Sequence, residues 1–108
     1  MGTFACMPIE QAEPLLADSS TQVVDIRDAN AFANGHIPGA IQLSNTNLPH
    51  FVAAADFSKP LVVVCYHGIS SQNAGQYLAE QGFEQVFSLD GGMTAWAAQH
   101  PDKVESGL

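Results

Sequence analysis

"LVVVCYHGISSQNAG", residues 61–75, runs four apolar residues into a cysteine, then a short polar loop, then a helix-like stretch. An unbroken run rich in β-branched residues suits a strand covered on both faces, as in a parallel sheet. Outward from it, residues 22–26 (QVVDI), 40–43 (AIQL) and 85–89 (QVFSL) predict further strands, and residues 4–7 a short edge strand. Helical candidates fall between them. Residues 8–17 open on Pro8, suited to a first helical position, and Pro14 predicts a kink or an early stop. Asp28 can cap a brief helix that Gly35 stops. Residues 48–55 predict a helix, and residues 71–81 another with Ala74, Tyr77 and Leu78 on one face and Gly82 just past its end. Residues 93–99 carry Trp96 and halt before Pro101. Strands alternating with helices predict an α/β fold, a mostly parallel sheet with helices on both faces.

The chain of 108 residues is long enough for one core, which predicts a single domain over 1–108. Eleven acidic residues against three basic ones (Arg27, Lys59, Lys103) give a formal charge of −8. That balance argues against nucleic acid, whose binding depends on neutralising phosphates. It speaks for solubility rather than for a partner. No apolar run approaches the roughly 18 residues of a membrane span, and no basic segment followed by a hydrophobic stretch opens the chain. Both readings predict a cytoplasmic protein with no membrane attachment. In that reducing compartment Cys6 and Cys65 are expected as free thiols, with Cys6 packed as a small hydrophobe.

Cys65 is different because of where it stands. In open α/β sheets ligands bind beyond the carboxyl ends of the strands, and Cys65 ends what should be a central one. The following helix presents N–H groups without intrahelical partners and a dipole that favours negative charge. A sulfur held there is stabilised as thiolate, its reactive form. Gly68 lets the backbone curl so that successive N–H groups converge as an anion-binding nest. Ser70 and Ser71 have two readings, as helix caps or as hydroxyl donors to the sulfur. His67 is either a cation and proton source near the thiolate or an exposed loop residue. Tyr66 shapes the loop wall. Taken alone, the loop admits sulfur transfer, thiolate phosphatase chemistry or a redox thiol.

Four stretches in order narrow that choice: "VVDIRD" (23–28), "FANGHIPGAIQL" (32–43), "VVVCYHGISS" (62–71) and "LDGGMTAW" (89–96). Together they resemble the signatures of rhodanese-type sulfurtransferases over nearly the whole chain. The resemblance implies a rhodanese-like three-layer fold around a five-stranded, mostly parallel sheet. It implies that Cys65 is the catalytic nucleophile and carries a persulfide, passing sulfane sulfur from thiosulfate to cyanide, a small thiol or a protein dithiol. Tyr66, His67, Gly68, Ile69, Ser70 and Ser71 would form the substrate- and persulfide-binding loop, with main-chain N–H groups of about residues 67–70 holding the terminal sulfur. Asp25 and Arg27 are expected to pair beneath the loops, His36 to tie down a loop, and Gly91 and Gly92 to allow a tight turn at the rim. No metal and no organic cofactor is implied.

One departure stands out: no Arg or Lys lies between Cys65 and Ser71, so His67 is the only cation the loop itself offers. The same gap weighs against a thiolate phosphatase or arsenate reductase, because related phosphatases resemble Cys-x5-Arg and clamp phosphate with that arginine. Ser71 occupies the arginine's place. A persulfide carrier without thiosulfate turnover is a further alternative, since carrier and enzyme need the same thiolate loop.

Overall fold

The computed structural model describes residues 2–107. Its elements alternate as the hydrophobic pattern predicts: β1 (Thr3–Met7), α1 (Ile9–Ala17), β2 (Gln22–Asp25), α2 (Ala29–Asn34), β3 (Ile41–Gln42), α3 (Leu48–Ala54), β4 (Leu61–Val64), α4 (Ser70–Glu80), β5 (Gln85–Leu89) and α5 (Gly92–Gln99), followed by a 3₁₀ turn at Pro101–Lys103. The five strands form one sheet in the order β1-β5-β4-β2-β3, and every pair is parallel.

β4 sits in the middle with all four residues buried. Its pleat divides the core. Val62 and Val64 face α1 and α5, where they meet Ile9, Ala12, Met93 and Trp96. Leu61 and Val63 face α3 and α4, where they meet Leu78, Ala79, Phe83 and Val86. This is why the run lacks polar alternation: both faces are covered. Burying each such side chain stabilises the fold by roughly 1.5–3 kcal/mol.

Several local expectations need correction. Pro14 stands inside α1 without ending it, and Pro8 is the residue before the helix rather than its first. α4 begins at Ser70 with Ile69 as its cap residue and no side-chain cap bond, so neither serine caps it. Tyr77 remains 46% exposed, outside the buried face that Leu78 and Ala79 form. Cys6 is exposed instead of packed. It lies on the edge strand β1, and although the neighbouring Phe4 packs into the α4-side core, Cys6 does not. β1 pairs Cys6 with Ser88 on β5, and β4 lies beyond β5; both cysteines are free. The Asp28 cap forms, its carboxylate accepting the Ala31 N–H at 2.7 Å. Among the described residues no helix is long and apolar enough to cross a membrane.

Candidate active site

Parallel strands deliver the turns after β2, β4 and β5 to one end of the sheet, and these turns build the site. Cys65 follows directly on β4 and is buried. Its Sγ accepts the Gly68 N–H at 3.1 Å and the Ser71 N–H at 3.3 Å, and Ser71 Oγ lies 3.2 Å away. Burial pushes the Cys65 thiol up, but the Ser71 hydroxyl and the N–H groups of Ser71, Gly68 and His67 outweigh it and bring the thiol below its usual range. Each of these bonds is stronger to the thiolate than to the thiol, because an ionised acceptor roughly doubles a hydrogen bond. The leading causes are burial and the loop's hydrogen bonds, not a charged side chain.

Gly68 makes this curl possible. Its φ of +82° is left-handed, and a Cβ there would stand 2.8 Å from Gly91 N and 2.9 Å from Leu89 O, both backbone atoms. The loop therefore lies directly on the turn after β5. Gly92 is its counterpart, with φ +59° and a virtual Cβ 2.5 Å from the Cys65 carbonyl oxygen. Close approach lets the first N–H groups of α5 bond the loop's carbonyls: Met93 N–H to Cys65 O at 2.8 Å and Thr94 N–H to Tyr66 O at 3.1 Å. Gly68→Ala should accordingly lower stability by roughly 2 kcal/mol from left-handed strain alone. It should also slow alkylation of Cys65 by displacing the Gly68 N–H. Thermal melts and iodoacetamide kinetics check both; an unchanged alkylation rate would contradict the role given to that N–H.

The remaining predicted site residues fall into two groups. Tyr66, His67, Ile69 and Ser70 are exposed around the loop, with Ile69 at 72%. Tyr66 donates its hydroxyl to Asp28 at 3.2 Å, and its ring lies 5.6 Å from the Arg27 guanidinium carbon. The His67 side chain makes no hydrogen bond to the sulfur: among the described residues, the side chain that reaches Sγ is that of Ser71, beside the N–H groups of Gly68 and Ser71. Asp25, Arg27 and His36 lie below and are buried. Asp25 accepts both Nε and Nη2 of Arg27, the latter at 2.7 Å, and Arg27 Nη2 also donates to Gly35 O. His36 stacks flat on Phe32, with centroids 3.8 Å apart, and its Nδ1 bonds the Phe32 carbonyl at 2.8 Å.

Ser88 is the residue that sequence reasoning missed. It is fully buried on β5, and its Oγ lies 2.6 Å from Ser71 Oγ. The one signal for it was a hydroxyl at an inward position of an otherwise apolar strand. A groove of about 720 Å³, whose lining does not include Cys65, runs between Arg27, Asp28, Gln42, Leu48, Ala74 and Tyr77. A shallower one of about 270 Å³ includes Arg27, Tyr66 and Thr94.

Comparison with known proteins agrees with this geometry. The family model "Rhodanese-like domain" matches residues 9–99. The thiosulfate sulfurtransferase GlpE of Shewanella oneidensis is 58% identical over 89% of this chain and 95% of its own length. The protein of the same name from Pseudoalteromonas translucida is 50% identical over 94% and 97%. Among solved structures, a thiosulfate sulfurtransferase from Pseudomonas aeruginosa superposes with a TM-score of 0.84 at 24% identity, covering 98% of this chain and 20% of that one. A rhodanese-like domain protein from Staphylococcus aureus superposes at 0.78, covering 98% of this chain and all of that one. With the family model matching residues 9–99 and relatives at 50–58% identity over most of their length, this chain belongs to the rhodanese-like domain family.

Proposed function

We propose that this sulfurtransferase acts on thiosulfate through a persulfide on Cys65. The observation that carries the proposal is a buried sulfur that accepts two main-chain N–H groups and faces a hydroxyl, with no charged side chain hydrogen-bonded to it among the described residues. The Cys65 thiolate attacks the outer sulfur of thiosulfate. As the new S–S bond forms, the bond to the sulfonate sulfur breaks and sulfite departs with its electron pair. The acceptor, cyanide or a thiolate, then attacks the outer sulfur of the persulfide. Thiocyanate or a new persulfide leaves, and the thiolate returns. Such a cycle predicts ping-pong kinetics.

The loop has donors to spare for the outer sulfur. The His67 N–H already acts on the sulfur, and among the described residues no acceptor is paired with the N–H of Ile69 or Ser70. These groups support the reading that residues 67–70 hold the terminal sulfur and the departing sulfite. The nearest arginine is already neutralised: Arg27 is engaged by Asp25 and turned toward Gly35. Anion binding then rests on N–H dipoles, each modest where solvent reaches it. The KM for thiosulfate is expected above about 1 mM, the upper end of common values; a steady-state value in the low micromolar range would overturn that.

A second reading has its own support. Tyr66 and Ile69 leave large apolar surface exposed on the thiol's own loop, which fits a protein dithiol acceptor and a carrier role in the cytoplasm. The deciding experiment compares wild type with Cys65→Ser for thiocyanate formation and, by intact mass, for uptake of one sulfur. Sulfur uptake without thiocyanate favours the carrier; thiocyanate formed equally by both proteins removes the Cys65 mechanism.

A further inference from the structure

We propose that Ser88 is a positioning residue for Cys65: through its 2.6 Å contact it orders the Ser71 hydroxyl so that the proton of Ser71 is aimed at the sulfur. The inference rests on Cys65 acting as a thiolate. It follows from asking where each hydroxyl proton of a closed chain can go. Ser88 is fully buried, and among the described residues its side chain has one partner, Ser71 Oγ. Ser71 is fully buried too, and its hydroxyl has two neighbours, Ser88 Oγ and Cys65 Sγ.

Two directions of donation are available. If the thiol donates to Ser71 and Ser71 to Ser88, the Ser88 proton is left without an acceptor inside the core, an arrangement buried polar groups avoid. If Ser88 donates to Ser71 and Ser71 donates to the sulfur, every hydroxyl proton in the chain is satisfied. The sulfur is then the terminal acceptor, a role a thiolate fills far better than a thiol. A donated bond on the Ser71 oxygen also polarises its O–H and strengthens its bond onward. Ser88 thus never touches substrate and acts through Ser71 alone.

The fold explains how position 88 comes to do this. Ser88 shares its side of β5 with Val86, which packs in the core beneath α4. Ser71 is the second residue of α4, directly above. The titratable and charged groups around the thiol are His67 in the loop, Tyr66 with Asp28 and Arg27 beside it, and Asp90 in the turn after β5. None of them hydrogen-bonds Sγ. Among the described residues the hydroxyl chain is the one side-chain route of hydrogen bonds to the sulfur.

The test reads the pH midpoint of Cys65 alkylation by iodoacetamide, a measure of the thiolate that does not depend on sulfur transfer. Failure of the proposed enzymatic function therefore leaves this result intact, and the reverse holds as well. Cys6 is alkylated too, so the rate at Cys65 is followed by peptide mass. Ser88→Ala should raise the midpoint by roughly 0.3–0.7 unit, the scale of part of one hydrogen bond. Ser71→Ala should raise it further. Because Ser88 acts through Ser71, adding Ser88→Ala to Ser71→Ala should shift the midpoint no further. An unchanged or lowered midpoint in Ser88→Ala overturns the proposal, as does an equal shift in both backgrounds. Where Ser88→Ala loses its fold, Ser88→Thr and Ser88→Val, equal in shape, isolate the hydroxyl: Thr should keep the lower midpoint, and equal midpoints overturn the proposal.

Discussion

Cys65→Ser should abolish thiocyanate formation, lowering kcat/KM by at least about a thousandfold while leaving the melting temperature nearly unchanged. The two halves of that expectation come from the same geometry. Cys65 is buried in a pocket of N–H groups that suits an oxygen almost as well as a sulfur, so a serine hydroxyl keeps the loop's bonds to Gly68 and Ser71. The fold loses little. The chemistry loses everything, because an alcohol at this position is not ionised and cannot form a stable bond to sulfane sulfur. Thiosulfate–cyanide assays, differential scanning and intact-mass measurement after exposure to thiosulfate check the three parts. Wild type should gain the mass of one sulfur, and the variant should gain none. A serine variant that retained turnover would move the nucleophile elsewhere, with Cys6, the other free thiol, exposed on the edge strand β1.

The strand–loop–helix unit at residues 61–80 was legible in the sequence because each of its signals is local. Four apolar residues without alternation mark a strand buried on both sides, the thiol marks its carboxyl end, and Gly68 marks the turn. What the serines do was less legible, for a geometric reason. Capping is the default role of a serine at a helix start, and that default assumes the serine is the first non-helical residue. Here Ile69 holds that position with helical backbone angles (φ −101°, ψ −60°), and α4 begins at Ser70. Ser71 is then already within the helix, where side chains tilt toward the N-terminus, and this carries its hydroxyl back to the sulfur. Ser88 was hidden for a different reason. The pleat of β5 says that it faces inward, but only the tertiary packing of α4 says what covers it. Cys6 shows the reverse error: apolar character predicts burial, and an edge strand withholds it.

Removing one half of the Asp25–Arg27 pair should be the most damaging change to stability. Asp25 is fully buried and Arg27 is 8% exposed. Arg27→Met strands a carboxylate in the core with only the backbone N–H of residue 27, at 3.0 Å, to satisfy it. Breaking such a pair from one side costs about 3–5 kcal/mol, or a fall in melting temperature of about 15 °C or more for a domain of this size. Asp25→Leu should cost a similar amount by leaving the guanidinium unpaired. The double variant, Asp25→Leu with Arg27→Met, should be less damaged than the two singles added together, because no uncompensated charge remains. The pair's position explains why this matters to the site. Arg27 links the end of β2 to Gly35 O, its own carbonyl accepts Gln42 Nε2 at 2.8 Å, and its guanidinium lies beneath Tyr66. It holds the loop wall and already has its anion. Below their melting transitions the variants should therefore keep the wild-type KM for thiosulfate, with activity falling only as the folded fraction falls. A KM raised tenfold or more in fully folded Arg27→Met would instead make Arg27 a substrate-binding cation.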